Sequence, residues 1–290
     1  MFIPRKIVEE KLRQMLAEDI GLGDVTTQAV IPTKLNVMAA VIAKEAGIAA
    51  GIEEATFLAE YLGLKVSGKV ADGETIKHGQ VLMEISGDAQ TILSSERTML
   101  NLLSRMSGIA TTTRTLTTKI KKAGLKTKIA ATRKSAPGLL YFDKKAVVIG
   151  GGDPHRLHLD DMILIKDNHI AIVGSPEEAV RKAKTKVSFT KKIEVEVASA
   201  QDAVSAAKAG ADIVMLDNFS PEQVKEASDM LKKAGFSSVL LEVSGGITSE
   251  KLSDYAAANV DVISLGEITH SVKVLDMSLE IVKKKPKIQH

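Results

Sequence analysis

Seven short apolar runs recur between Lys126 and Leu265, each followed by a stretch of helical character. They occupy residues 127–131, 146–149, 162–165, 193–197, 213–216, 239–243 and 262–265. Runs this short and continuously apolar fit strands buried on both faces, as in a parallel sheet. Parallel neighbours need a crossover, and the intervening segments supply one. Ser175-Pro176-Glu177-Glu178 and Ser220-Pro221-Glu222 each offer a capping hydroxyl, a proline at the first helical position and early acids. Gly210 and Gly235 fit helix stops. This rhythm predicts an α/β fold that closes as a barrel or spreads as a doubly wound sheet. Arg133, Lys134, Lys166, Glu196, Asp217, Ser244-Gly245-Gly246 and Gly266 all fall at or just after the ends of these runs. A barrel would gather them on one face, where such folds build active sites, and that favours the barrel.

The first third of the chain reads differently. Residues 1–20 predict an amphipathic helix with Ile7, Leu12, Met15 and Leu16 on one face, broken at 21–24. Residues 36–92 carry short strands punctuated by Asp72-Gly73, His78-Gly79 and Gly87-Asp88, with a helix over 53–61. Residues 94–123 predict two helices separated at Gly108.

Composition excludes several functions. The net charge of +3 is too small to imply a nucleic-acid or membrane partner, so electrostatics must come from local clusters. The absence of cysteine removes disulfides, thiolate nucleophiles and Cys-based metal sites. Aromatic residues, at 3%, are too few for a base-stacking platform. With no secretory pattern at Met1 and no apolar run of membrane-spanning length, the expected location is cytoplasmic.

The clusters lie at the strand ends. Thr132-Arg133-Lys134 joins a guanidinium suited to a carboxylate with a point charge suited to phosphate, or is a solvated loop. Gly150-Gly151-Gly152 before His155-Arg156 permits close backbone approach, yet it lacks the Gly-Lys-Ser/Thr ending of a P-loop. Lys166, closing Met-Ile-Leu-Ile-Lys, reads as a buried Schiff-base nucleophile, a fixed cation for substrate, or a snorkelling side chain. Glu196 and Asp217 end successive strands, where two carboxylates suit Mg²⁺ held jointly with substrate phosphates or neutralise the cations nearby. Glu194 alternates with Glu196 and shares its face. Ser244-Gly245-Gly246 and Gly266-Glu267-Ile268-Thr269-His270 follow the last two strands, where barrels hold a phosphate monoester. His169 reads as ordering its loop.

With these residues set out, the chain resembles the quinolinate phosphoribosyltransferases, of the type II phosphoribosyltransferases. The resemblance runs through Gly21-x-Gly-Asp-x-Thr-Thr27, Ser95-Glu-Arg-Thr-Met-Leu-Asn101, Ser107-Gly-Ile-Ala-Thr111, Thr132-Arg-Lys134 and Gly150-Gly-Gly-x-x-His-Arg156. It continues through Leu164-Ile-Lys-Asp-Asn-His169, Glu194-Val-Glu196, Leu216-Asp-Asn-Phe219, Ser244-Gly-Gly246 and Thr269-His-Ser-Val-Lys-Val-Leu-Asp276. It implies an N-terminal α/β sandwich over 1–110, completed by a C-terminal helix within 273–290, and an incomplete, seven-stranded-type α/β barrel over 111–272. It implies transfer of phosphoribosyl from phosphoribosyl pyrophosphate (PRPP) to quinolinate with decarboxylation, using Mg²⁺ and no organic cofactor. A homodimer, with or without further assembly, would bring the partner subunit's Arg97 to the site. By motif, Arg97, Thr132, Arg133, His155, Arg156 and Lys166 would hold the quinolinate carboxylates. Lys134, Glu196 and Asp217 would be catalytic, the two acids meeting the metal. Ser244, Gly245, Gly246, Gly266, Glu267, Ile268 and His270 would hold the 5′-phosphate.

The chain departs from the family pattern at Ser135-Ala136, at Pro154 before His155-Arg156, and at His158. Pro154 is also favoured in the related family of molybdate-transport operons, but the Ile-Lys-Asp-Asn-His run argues against that family. A transferase acting on nicotinate, a Schiff-base aldolase using Lys166 and a non-catalytic phosphometabolite-binding barrel are the other readings.

Overall fold

A computed structural model describes residues 3–282. The chain divides into two compact units, one holding the residues up to Thr112, 148–150 and those from Val272 onward, the other Thr113–Val147 and Gly151–Ser271. Among the described residues no helix is long and apolar enough to cross a membrane.

The first unit opens with helix α1 (Arg5–Ile20) and the short α2 (Val25–Val30), which Asp24 caps by accepting from the Thr27 N–H at 2.9 Å. The buried face of α1 is Val8, Leu12 and Leu16, a strict i, i+4, i+8 row. Ile7, expected on that face, is 47% exposed and lies beside it. Next come β1 (Asn36–Ala43), β2 (Gly47–Ile48), α3 (Ile52–Tyr61), β3 (Lys65–Gly68), β4 (Thr75–Ile76) and β5 (Val81–Asp88). Strand β1 is central, paired antiparallel to β5 and to a strand at Met277–Ile281. That strand occupies part of the 273–290 span in which the resemblance implied a C-terminal helix. Met277, Leu279 and Ile281 alternate with Ser278 and Glu280, a period of two that suits a half-buried sheet edge. The part of the expected helix at 283–290 lies outside the described residues.

Helix α4 (Ala89–Lys122) is one helix of 34 residues, so Gly108 does not break it. A Cβ at Gly108 would stand 2.2 Å from the Lys273 carbonyl oxygen and 2.9 Å from the Val274 Cα. The glycine therefore serves close backbone approach rather than a hinge.

The second unit carries the α/β rhythm. Strand β6 (Lys128–Ala131) is followed by α5 (Leu140–Gly150), β7 (Ile163–Ile165), α6 (Asp167–Val173), α7 (Pro176–Lys186), β8 (Ile193–Val197), α8 (Ala200–Ala209) and β9 (Ile213–Asp217). Then come α9 (Pro221–Lys233), β10 (Leu240–Ser244), α10 (Leu252–Ala257), β11 (Val262–Leu265) and α11 (Glu267–His270), before the Met277–Ile281 strand, β12. Ser175 and Ser220 cap α7 and α9 with Pro176 and Pro221 at the first turn, as expected.

The apolar run 146–149, expected as a strand, lies inside α5. Phe142, Ala146 and Val147 are buried while Val148 is exposed, which is helical spacing; four apolar residues alone carry no period to show it. The sheet therefore has six parallel strands in the order β6-β11-β10-β9-β8-β7. The first strand pairs with the last, and each of the others with its successor. That is the connectivity of a barrel rather than of a doubly wound sheet, whose order reverses in the middle. No ladder joins β6 to β7, but Asp153 forms an isolated parallel bridge with Ala130 of β6.

Candidate active site

Side chains alternate along a strand, so every second residue faces the interior of this sheet. Leu164 and Lys166 from β7 and its end, Glu196 from β8, Met215 and Asp217 from β9, Glu242 and Ser244 from β10, and Ser264 from β11 line one cavity of about 580 Å³. Loop residues Thr132, Arg133, Lys134, His155, Arg156, Asp167, Asn218, Gly245 and Gly246 complete its wall. All the strand-end residues singled out in the sequence thus meet in one place except Gly266, which lies beside Lys134 outside the cavity wall.

Each polar group has a local reason for its position. Lys166 is exposed at the N-cap of α6, with its Nζ 2.7 Å from the Glu196 carboxylate. It is not the buried strand lysine expected, because β7 stops one residue earlier. His169 accepts the Lys166 N–H at 2.9 Å through Nδ1, which makes it a loop-ordering residue as expected. Asn218, at φ 58°, follows Asp217 and donates to its carboxylate at 2.7 Å. Gly245, at φ 92°, lies so close that a Cβ would stand 2.3 Å from the Asn218 side-chain oxygen. Thr269 Oγ1 donates to the Lys134 carbonyl at 2.7 Å, tying that loop to α11. A Cβ on Gly266 would stand 3.1 Å from the Lys134 side chain.

Beneath the cations lies a buried acid pair. His155, at φ 53°, places Nε2 3.3 Å from Glu194 and 3.2 Å from Glu242, while Nδ1 stands 2.8 Å from the Arg156 backbone nitrogen. Burial alone would hold the ring neutral, but the hydrogen bonds and charges of Glu194 and Glu242 outweigh it and raise His155 to about 10. Burial pushes Glu194 above the usual carboxylate range, with Glu242 adding to the rise and His155 opposing it. His155, Glu194 and Glu242 also stand close enough to share a cation, as do Glu53, Glu54 and Asp72 in the first unit. At the former cluster the imidazolium already supplies the counter-charge. Neither cluster contains Glu196 or Asp217.

Several expected residues lie apart from the cavity wall. Ile268 is buried, so only its backbone is available, and Glu267 and His270 are exposed on the short α11. Arg97 is an exposed residue of α4 in the first unit. Two participants went unread. Glu242 alternates with Ser244 and could have been found by that period. Lys144, within Asp143-Lys144-Lys145, is wholly buried although its neighbours read as a solvated helix face.

Comparison with known proteins gives the family. The model described as "Quinolinate phosphoribosyl transferase, N-terminal domain" matches residues 24–107, and that of the C-terminal domain residues 109–280. A probable nicotinate-nucleotide pyrophosphorylase (carboxylating) of Methanothermobacter thermautotrophicus is 48% identical over 271 residues, covering 93% of this chain and 97% of the relative. The human nicotinate-nucleotide pyrophosphorylase (carboxylating) is 39% identical over 246 residues, covering 85% and 82%. The solved nicotinate-nucleotide pyrophosphorylase of Francisella tularensis superposes with a TM-score of 0.88 at 37% identity, covering 97% of this chain and 98% of that one. Both domain patterns are matched in order, and the cavity sits in the second. The chain belongs to the quinolinate phosphoribosyl transferase family.

Proposed function

We propose that this enzyme transfers phosphoribosyl from PRPP to the ring nitrogen of quinolinate and releases pyrophosphate and CO₂, leaving nicotinate mononucleotide for NAD synthesis. The observation that carries the reading is the cavity itself, where Arg133, Lys134, Arg156 and Lys166 face Glu196 and Asp217 across the strand ends. Two anionic substrates need such cations, and a positive transition state needs such acids.

Thr132, Arg133, His155, Arg156 and Lys166 hold the two quinolinate carboxylates, guanidinium forks supplying planar recognition. His155 contributes mainly charge, since its Nε2 is already engaged by Glu194 and Glu242. Ser244, Gly245 and Gly246, with Gly266, Glu267, Ile268 and His270, take the ribose 5′-phosphate. Gly246, at φ 58°, has open space around its Cα, which leaves room for a phosphate oxygen. Lys134 meets the pyrophosphate.

As the bond from the anomeric carbon to pyrophosphate breaks, positive charge develops on the ribose. Glu196 and Asp217 stabilise it while the quinolinate nitrogen forms the new bond. The C2–carboxylate bond then breaks, its electron pair resting beside the positive ring nitrogen until a proton arrives. The ring supplies its own electron sink, so the reaction calls for no organic cofactor.

Glu196 and Asp217 are the residues that would hold Mg²⁺. Two carboxylates completed by substrate oxygens are a common magnesium arrangement, and these two stand outside any all-protein ligand trio among the described residues. The ion would neutralise the departing pyrophosphate.

A homodimer in which the partner subunit's Arg97 reaches the quinolinate belongs to the same reading, supported by the exposure of Arg97 on α4. A cytoplasmic location follows from the substrates, which are too highly charged to cross a bilayer unaided.

Release of labelled CO₂ from carboxyl-labelled quinolinate, with PRPP and Mg²⁺, tests the assignment. We expect CO₂ and pyrophosphate in equal amounts, and neither without PRPP. Consumption of PRPP with nicotinate but not quinolinate would move the substrate to another transferase, and CO₂ without PRPP would reverse the order of steps.

A further inference from the structure

One buried cation in the second unit has no part in the chemistry above. Lys144, in α5, has no exposed surface, and its Nζ donates to the Ala131 carbonyl at 3.0 Å and to the Pro154 carbonyl. These are the residues immediately before the two cation-bearing loops, since Thr132-Arg133-Lys134 follows Ala131 and His155-Arg156 follows Pro154.

The backbone shows why an ammonium is needed there. Asp153 donates to the Ile129 carbonyl at 2.8 Å, and Ala131 donates to the Asp153 carbonyl at 3.1 Å, so the two segments run as parallel neighbours. The ladder stops at that point. The next carbonyl on each side, Ala131 and Pro154, has diverged toward its own loop, and one ammonium bridges both. Gly152 holds the second segment in place, because a Cβ there would stand 2.6 Å from the Thr113 methyl and 2.9 Å from Val147. Asp143, also wholly buried, meets the Ser135 hydroxyl on the other side of the first loop.

We infer that Lys144 is a positioning residue for the dicarboxylate substrate, its ammonium fixing the spacing between Arg133 on one loop and His155-Arg156 on the other. This rests on the reading of those three residues as the quinolinate grip. A planar dianion with adjacent carboxylates demands a set distance between its cations, whereas PRPP is held at its 5′-phosphate by other loops and at its pyrophosphate by Lys134, which Thr269 ties separately to α11. The ammonium is also coupled electrically to the grip. Burial lowers Lys144 to about 8, with Asp153 and Asp143 opposing the shift and Arg133 and Arg156 adding to it. A dianion between those guanidiniums reverses their effect and draws a proton onto Lys144.

The test uses the whole of this chain and its absence of cysteine, which makes Lys144→Cys its only thiol. That variant is aminoethylated in denaturant with 2-bromoethylamine and refolded, beside a neutral methylthio adduct and Lys144→Met. Losing a hydrogen-bonding charge should raise the quinolinate KM about tenfold or more in Lys144→Met and in the neutral adduct. The PRPP KM should stay within about threefold, and aminoethylation should restore the quinolinate KM. An unchanged quinolinate KM in Lys144→Met, both KM values rising together, or equal recovery with the neutral adduct would overturn the proposal. Arg133→Ala and Arg156→Ala test the grip separately. If they leave the quinolinate KM unchanged, the grip reading has failed rather than the role of Lys144 within it.

Discussion

Lys166 Nζ stands 2.7 Å from the Glu196 carboxylate, so a cation assigned to quinolinate and an acid assigned to the ribose and metal begin as each other's partners. Substrate binding must part them. The pair is open to solvent on the Lys166 side, where an ion pair stabilises a fold by about 0–1 kcal/mol. Glu196→Gln should therefore leave the thermal midpoint nearly unchanged while kcat falls about a hundredfold or more. Thermal melts beside steady-state rates check this, and a collapse of stability would make the pair structural.

The His155 cluster should show in the pH dependence of stability. His155 is raised from 6.5 to about 10, so its contribution is fully present below 6.5 and is lost as pH rises through 10. Glu194, also raised, acts with the same sign. Lys144, lowered from 10.5 to about 8, acts oppositely, but only from about 8 upward. Denaturant unfolding should accordingly show stability falling between pH 6.5 and 8, and His155→Gln should flatten that slope.

Gly245→Ala should injure phosphate binding. The φ of 92° and the 2.3 Å approach to the Asn218 side chain leave no place for a methyl group. We expect a cost of about 1–3 kcal/mol in stability and a raised PRPP KM with the quinolinate KM less affected. Equal effects on both substrates would mean that the loop serves the whole cavity.

Gly108→Ala tests the continuous helix. In an ordinary exposed helix this change stabilises by about 1 kcal/mol. Here the new methyl would meet the Lys273 carbonyl, and unfolding measurements should show destabilisation instead.

What could be read in advance followed physical lines. Strands 193–197 and 262–265 came out residue for residue, because each is a short run of strand-forming residues beside clear caps or glycines. Residues 146–149 did not, since a helix and a strand share the same four-residue apolar pattern. The cations and acids at strand ends were legible because the barrel topology gives those positions a common destination. Burial of a charge leaves no such mark. Lys144 stands in Asp143-Lys144-Lys145, a composition that reads as a wet surface, and only the tertiary fold shows that its two acceptors are backbone carbonyls.

The pairing of β6 with β11 also bears on how the molecule is born. Lys128 aligns with Val262, so the first strand of the sheet meets its neighbour only after roughly 130 further residues exist. On the ribosome β6 must leave the exit tunnel with its β11 edge unpaired and only the short Asp153 segment as an earlier neighbour, while β7 to β10 can assemble in order behind it. Chaperone demand should peak in that interval and end when β11 emerges.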